Sequence, residues 1–100
     1  MNEKKKEFVE ALCNTLKMDS RSAVESIEYA TDVWFEDVLY EEVVQINFKS
    51  GEYKLINVTA NSNQSNKQEI MSAVYGGKPV GLLFYGFEEK ECDWDARTRA

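Results

Sequence analysis

The feature of this 100-residue chain that most constrains its fold is a pair of alternating segments around Ser50-Gly51. Apolar and polar residues alternate over residues 44–48, and apolar residues return at alternate positions from residue 53. Such alternation is typical of half-buried β-strands. Gly51 can adopt the positive φ of a tight hairpin turn without steric cost. The pattern therefore predicts a β-hairpin and, with it, an antiparallel sheet.

The amino-terminal segment has the periodicity of an amphipathic helix, because apolar side chains recur three or four positions apart over residues 3–17. Residues 18–22 supply breaker and capping residues that either end this helix or begin another. Residues 24–31 fit a helical stripe or an alternating strand, and their β-branched and aromatic content favours the strand. Residues 32–39 have no clean period and are interpreted as a connection with exposed or half-buried aromatic side chains.

A second helix is predicted after the hairpin. The polar run over residues 61–66 offers side-chain oxygens for capping, with Ser65 and Gln68 at the spacing of a capping box. The helix is expected to run to about Tyr75 and to stop at Gly76-Gly77. A phosphate-binding glycine loop would follow a strand and open a helix. The order is reversed here, so we interpret the glycines as a helix stop.

The most hydrophobic stretch begins at Val80 and ends at Phe87, and it is predicted to form the last strand. Val80 and every second residue after it would lie on one face, with further apolar residues on the other, so both faces need cover. This strand is then either central between two helical layers or covered on one face by a partner, with a homodimer as one possibility. Residues 90–100 are predicted to be a flexible tail that Trp94 could pin down.

Together these segments predict one α+β domain over residues 1–100: an N-terminal helix, an antiparallel sheet of three to four strands with a central β-hairpin, and a second helix before the last strand. No secretory signal or membrane span is recognisable in the sequence. Cys13 and Cys92 lack the spacing of a metal site, so reduced thiols and a cytoplasmic location are expected.

The sequence favours binding over catalysis. It contains no histidine, which removes the commonest general base and metal ligand. Cys13 lies on the apolar face of the first helix, and the acids beside Cys92 raise the pKa of a thiol. Adjacent carboxylates such as Glu41 and Glu42 point to opposite faces of a strand, so they are weak candidates for a hydrolase or a metal site. We expect no enzyme activity and no cofactor or metal.

Charge is unevenly distributed along the chain. The net charge is −6, and residues 22–48 contain seven acids and no basic residue. Acidity of this kind argues against direct contact with nucleic acid and favours a protein partner with a basic surface. A solvated face that keeps the protein soluble is the alternative, and the interleaved aromatic residues are either core or interface anchors. The candidate partner-binding residues are Glu25, Glu28, Asp32, Trp34, Phe35, Glu36, Asp37, Tyr40, Glu41 and Glu42.

The stretch from Val43 to Ser62, with its strand, glycine turn, strand and Ser-rich cap, resembles small uncharacterised proteins of phages and conjugative elements of Gram-positive bacteria. The resemblance covers about a fifth of the chain. It implies a compact accessory protein that occupies a host protein, similar to anti-CRISPR proteins that block a basic nucleic-acid channel, and it brings no catalytic residues with it.

Three hypotheses follow. The leading one is an inhibitor or adaptor that docks its acidic segment on a nucleic-acid-handling protein, in the manner of an anti-CRISPR protein or a DNA mimic. The second is a structural or accessory protein that self-associates through the last strand. The third is a protein that binds a small ligand or a metal ion, which requires a concave pocket with convergent polar groups.

Overall fold

A computed structural model describes residues 3–87 and has the predicted α+β fold. All pairings in its four-stranded sheet are antiparallel, and the strands follow one another in chain order. The elements are α1 (Glu3–Lys17), β1 (Val24–Phe35), β2 (Val38–Phe48), β3 (Glu52–Asn57), α2 (Asn63–Val74) and β4 (Leu82–Phe87). Neither described helix combines the length and the apolar character needed to cross a membrane.

Both helices pack on one face of the sheet and form the main core with it. α1 contributes its apolar stripe, including the thiol of Cys13, which is buried as predicted. Each fully buried aliphatic side chain stabilises the fold by about 1.5–3 kcal/mol. The buried members of this cluster are Val9, Cys13, Leu16, Val24, Ile27, Tyr29, Val44, Ile46, Phe48, Ile56, Val58, Ile70, Ala73 and Val74.

The opposite face carries a second, smaller apolar cluster around Val33, Val43 and Leu55. Partly buried side chains from β1, β2 and β4 surround these three residues, and no residue of α1 or α2 belongs to the cluster. The rings of Phe35 and Phe84 lie 5.8 Å apart between centroids, within the range of favourable tilted aromatic pairs. The two faces therefore hold separate hydrophobic clusters.

The first hairpin corrects one prediction. Residues 24–31 form a strand, as favoured, but residues 32–39 are not an irregular connection. They are the ends of β1 and β2, joined by the two-residue turn Glu36-Asp37. The periodicity is hidden because Asp32 has a φ of +56°, and this left-handed residue interrupts regular side-chain alternation within β1.

The cap of α2 lies earlier than predicted. Ser62 is the N-cap, and its hydroxyl accepts a hydrogen bond from the amide of Ser65 at 3.1 Å. The predicted pairing of Ser65 with Gln68 is wrong because both residues already lie within the helix. The helix ends at Val74, as the glycines predict, and Gly76 takes a φ of +90° that favours glycine.

The loop after α2 uses its backbone amides to bind an internal carboxylate. Glu69 accepts hydrogen bonds from the amides of Val80 at 3.0 Å and Gly81 at 2.7 Å. The glycine-rich segment thus holds an anion, but that anion is a side chain of the preceding helix. The interaction fixes the path of the chain from α2 into β4.

β4 differs from its prediction in its start, its position and its faces. Val80 is 97% exposed and precedes the strand, which begins at Leu82. β4 lies at the edge of the sheet, which excludes the alternative of a central strand between two helical layers. A register shift between Leu55 and Ile56 places Leu82 against the helix-covered cluster and Phe84 in the second one, so these two residues do not share a face. The predicted tail over residues 90–100, with Trp94, lies outside the described residues.

Candidate functional site

The first hairpin continues past the rest of the sheet. β3 pairs with β2 only from Val43 to Asn47, whereas β1 and β2 pair with each other as far as Phe35 and Val38. Residues 31–42 therefore form a two-stranded extension, which we call the acidic arm. Isolated two-stranded ribbons are marginally stable. The arm is supported because Val33, Phe35 and Tyr40 pack in the second cluster with side chains of β3 and β4.

The turn at the tip of the acidic arm has an unusual composition. Glu36 and Asp37 have φ values of +51° and +68°, between the paired residues Phe35 and Val38. A two-residue hairpin turn with positive φ at both positions normally contains Asn and Gly, because a side chain makes this conformation costly. Non-glycine residues held in this region of conformational space are concentrated at functional sites. The tip is thus an acidic turn maintained at a conformational cost.

Exposed apolar side chains lie beside this acidic turn. Trp34 is 40% exposed and pairs across the strands with Leu39, which is 45% exposed. Val38 is 49% exposed, and the side chain of Glu41 is also on the surface. An aromatic group surrounded by charge is a common form of binding hot spot. The exposed face of the arm therefore presents apolar area and negative charge together.

Glu42 anchors the base of the arm. Its carboxylate accepts hydrogen bonds from Lys5 Nζ at 3.0 Å, from the hydroxyl of Tyr29 at 2.7 Å and from the amide of Ala60 at 2.9 Å. Burial by itself raises the pKa of this carboxyl, but the hydrogen bonds from Tyr29, Lys5 and Ala60 outweigh it and lower the pKa below the usual value. Burial, followed by the bond to Glu42, raises the pKa of Tyr29. This network joins the arm to α1 and to the segment after β3.

The structure separates the predicted partner-binding residues into four groups. Phe35 and Tyr40 are partly buried against the second cluster, and Glu42 belongs to the anchoring network. Glu25 and Glu28 are exposed on β1, outside the arm, where Glu28 accepts a hydrogen bond from Asn47. The residues that the arm brings together on its surface are Asp32, Trp34, Glu36, Asp37 and Glu41.

A groove at another part of the sheet was not anticipated. Lys54 Nζ donates to the carbonyl of Ala73 at 2.7 Å and lies 5.6 Å from the ring centroid of Phe48 and 5.7 Å from that of Tyr85. These groups border a cavity of about 430 Å³ beside the end of α2. In the sequence Lys54 alternates with Tyr53 and Leu55 and therefore suggests a solvated position. Its pairing opposite Ile46 instead places it on the helix-covered face.

Between residues 3 and 87, no three acidic or cysteine side chains are grouped so that they could hold a metal ion. Comparisons of the chain with protein-family models, curated proteins and solved structures give no significant match. The case for a function therefore rests on the geometry of the acidic arm and of the groove beside Lys54.

Proposed function

We propose that this chain is a non-enzymatic binding protein whose acidic arm docks on a basic surface of a nucleic-acid-handling protein, as an inhibitor or adaptor. The observation that carries the proposal is the exposure of Trp34 among Glu36, Asp37 and Glu41 at the end of the hairpin, beyond the last pairing with β3. Under this proposal the protein acts in the cytoplasm.

The apolar part of the arm supports a docking role. Most of the binding energy of a protein interface comes from a few aromatic or charged anchors that become desolvated. Trp34 and Leu39 are close to half exposed in the free protein, so a partner can bury much of their remaining surface. This burial gives affinity, while the acids around them select a basic partner.

The charge of the arm supports competition with nucleic acid. A groove that binds nucleic acid uses Lys and Arg to neutralise phosphates. The carboxylates of the arm carry the same negative charge as phosphates, and residues 22–48 contain no basic residue. Occupation of such a groove by the arm would exclude the phosphate backbone of the nucleic acid. The chain would then act as an inhibitor of nucleic-acid binding.

The experiment is affinity capture from a nuclease-treated bacterial lysate with three proteins. They are the wild type, the arm variant Glu36→Asn/Asp37→Asn and the control variant Glu7→Gln/Glu10→Gln. Both variants change the net charge equally, and Asn tolerates the positive φ of the turn. The control acids are exposed on α1 and are not part of the arm.

We expect a basic nucleic-acid-binding protein to be captured by the wild type and the control variant and to be lost with the arm variant. Added nucleic acid should displace the captured protein, because both ligands occupy one groove. Capture of the same proteins by all three samples, or a complex that nucleic acid does not disturb, contradicts the proposal.

Self-association through β4 is a second candidate because β4 is an edge strand of the sheet. An edge strand offers its outward backbone groups to another strand. Sedimentation of the wild type decides between the candidates. A dimer that persists at high salt would favour β4 pairing, whereas the docking proposal predicts a monomer at micromolar concentrations.

A further inference from the structure

The groove beside Lys54 lies between the helix-covered side of the sheet and the end of α2. Its apolar wall comes from β2, β4 and α2, and its rim comes from the segment that follows α1. With a volume of about 430 Å³ it falls within the size range of small-molecule sites. Its lining includes Arg21, Phe48, Glu52, Lys54, Val74 and Tyr85.

Lys54 is held in place rather than extended into solvent. The carbonyl of Ala73 in the last turn of α2 accepts one of its N–H groups at 2.7 Å. The faces of Phe48 and Tyr85 lie on either side, at 5.6 and 5.7 Å from the ammonium nitrogen. An ammonium has further N–H donors beyond the one used here. The side chain is thus a preorganised cation against an apolar wall, which lowers the cost of ordering it on binding.

The groove offers N–H donors to an anion. Arg21 and Lys54 line it together with the carboxylate of Glu52. Arg21 forms an ion pair with Asp19, with Nε 3.3 Å from Oδ1, so its charge is already offset. Glu52 accepts hydrogen bonds from the hydroxyls of Tyr85 and Ser50, which direct its carboxylate to neighbouring side chains. Lys54 is therefore the cation that faces an incoming ligand, and the guanidinium of Arg21 has further N–H donors beyond the one that Asp19 accepts.

We propose that this groove binds a small aromatic carboxylate. The aromatic body would lie against Phe48 and Val74, and the carboxylate would accept hydrogen bonds from Lys54 and Arg21. A charge-assisted hydrogen bond is stronger than a neutral one, and burial beside apolar side chains strengthens it further. This site is separate from the acidic arm and does not depend on the docking proposal.

The test is a titration of the full chain with naphthoate, followed by amide NMR, with naphthalenemethanol as the neutral probe of similar shape. We expect saturable shifts of the amides of Lys54, Val74 and Tyr85, and binding of the neutral probe at least about tenfold weaker. Equal affinity for both probes, or shifts that do not saturate at these amides, overturns the proposal without any substitution.

A pair of variants adds a second readout. Lys54→Met keeps most of the apolar stem and removes the cation, whereas Lys67→Met makes the same change on the exposed side of α2. The affinity for naphthoate should fall at least about tenfold in Lys54→Met and stay within about twofold of wild type in Lys67→Met. Their spectra without ligand establish whether each variant is folded. A folded Lys54→Met protein with unchanged affinity contradicts the assignment.

Discussion

Glu36 and Asp37 hold φ values of +51° and +68° at the tip of the acidic arm, where a side chain is sterically unfavourable. Nothing in their immediate packing requires an acid, since both are exposed. The residues therefore reduce stability while placing charge at the most distal point of the hairpin. A site kept for binding would show this combination, because selection for stability alone favours Asn and Gly in such turns.

The first prediction concerns this turn. Replacing Glu36-Asp37 by Asn-Gly should raise the free energy of unfolding by roughly 1 kcal/mol, because glycine and asparagine accept positive φ. Urea unfolding at neutral pH measures the change. Gly51→Ala, at a φ of +95° with no atom within 4 Å of the added Cβ, should change stability in the opposite direction. An unchanged or lower free energy of unfolding of the Asn-Gly variant would show that the native turn is not strained.

The second prediction concerns Gly81, which has a steric role. A Cβ at this position would lie 2.2 Å from the backbone oxygen of Asn57, and this atom cannot move away as a side chain can. Gly81→Ala should therefore destabilise the protein by about 1–3 kcal/mol. It should also weaken the hydrogen bond from the amide of Asn57 to the carbonyl of Gly81, now 2.8 Å. Thermal unfolding measures the loss, and a stability equal to wild type would show that the loop accommodates the methyl group.

At the scale of elements, the arm is stabilised where it leaves the sheet. The carboxylate of Glu42 connects β2 to α1 through Lys5, to β1 through Tyr29 and to the segment after β3 through Ala60. Hydrogen bonds to a charged group contribute about 1.5–3 kcal/mol when they are shielded from water. Lys5 and Glu42 have side chains only 16% and 15% exposed, so this network keeps much of that strength. It gives a ribbon without a third strand a fixed direction.

The third prediction is a pH dependence. The pKa of Glu42 is lowered in the folded state, so its stabilising effect is complete above the usual value of 4.5 and is lost as the pH falls through the folded-state pKa. The stability difference between wild type and Glu42→Gln should be constant from about pH 7 to 5 and should shrink below that. Denaturant unfolding at a series of pH values measures it. The exposed-site control Glu10→Gln should show a smaller pH-dependent difference.

A difference between wild type and Glu42→Gln that stays the same down to pH 3 would contradict the role of the charged form, with pH 3 lying about a unit below an ordinary carboxyl pKa. In that case the carboxyl would act through its neutral hydrogen bonds alone. The comparison therefore separates an ionic anchor from a neutral one.

Much of the element order was predictable because its signals are local. α1 has a clear apolar stripe, and the Gly51 turn lies between two alternating segments. The acidic hairpin was only half predicted, because its turn uses acids at positive φ and Asp32 breaks the alternation. The edge position of β4 could not be predicted either, because strand order and the register shift beside Leu55 depend on contacts distant in sequence.

The candidate sites also combine features that are local in sequence with features that depend on contacts distant in sequence. Charge segregation identified the acidic segment, since charge is read directly from the sequence. The sequence could not separate the exposed Trp34 from the packed Phe35, because neighbouring aromatic residues differ only in the face they occupy. Nor could it place Lys54 near Phe48 and Tyr85, which requires the pairing of β2, β3 and β4.

At the scale of the whole molecule, two surfaces of different character lie on one fold. The acidic arm concentrates negative charge on an extension of the sheet, and the groove beside Lys54 offers N–H donors on the helix-covered side. Long-range attraction between the arm and a basic partner would raise the association rate and would be screened within about 8–10 Å at physiological salt. The groove, being small and partly apolar, should depend less on salt.

The fourth prediction tests Trp34 as an anchor. Trp34→Ala should make dissociation from the partner faster, so the binding free energy should weaken by about 2 kcal/mol. Stability should change little, because the side chain is already 40% exposed. Met18→Ala, at a position 87% exposed and outside the arm, is the matched control. Binding kinetics on the immobilised partner measure the dissociation rates of the wild type and of both variants. Equal dissociation rates for all three proteins would contradict the role of Trp34 as an anchor.

The most direct test of the docking proposal is the affinity of the captured partner for the wild type, Glu36→Asn/Asp37→Asn and Glu7→Gln/Glu10→Gln at low and at physiological salt. We predict a loss of affinity of at least about tenfold for the arm variant, a loss within about twofold for the control, and convergence of the three affinities as salt rises. Equal losses in the two variants would mean that net charge alone matters, and no loss in either would mean that the arm is not the binding surface.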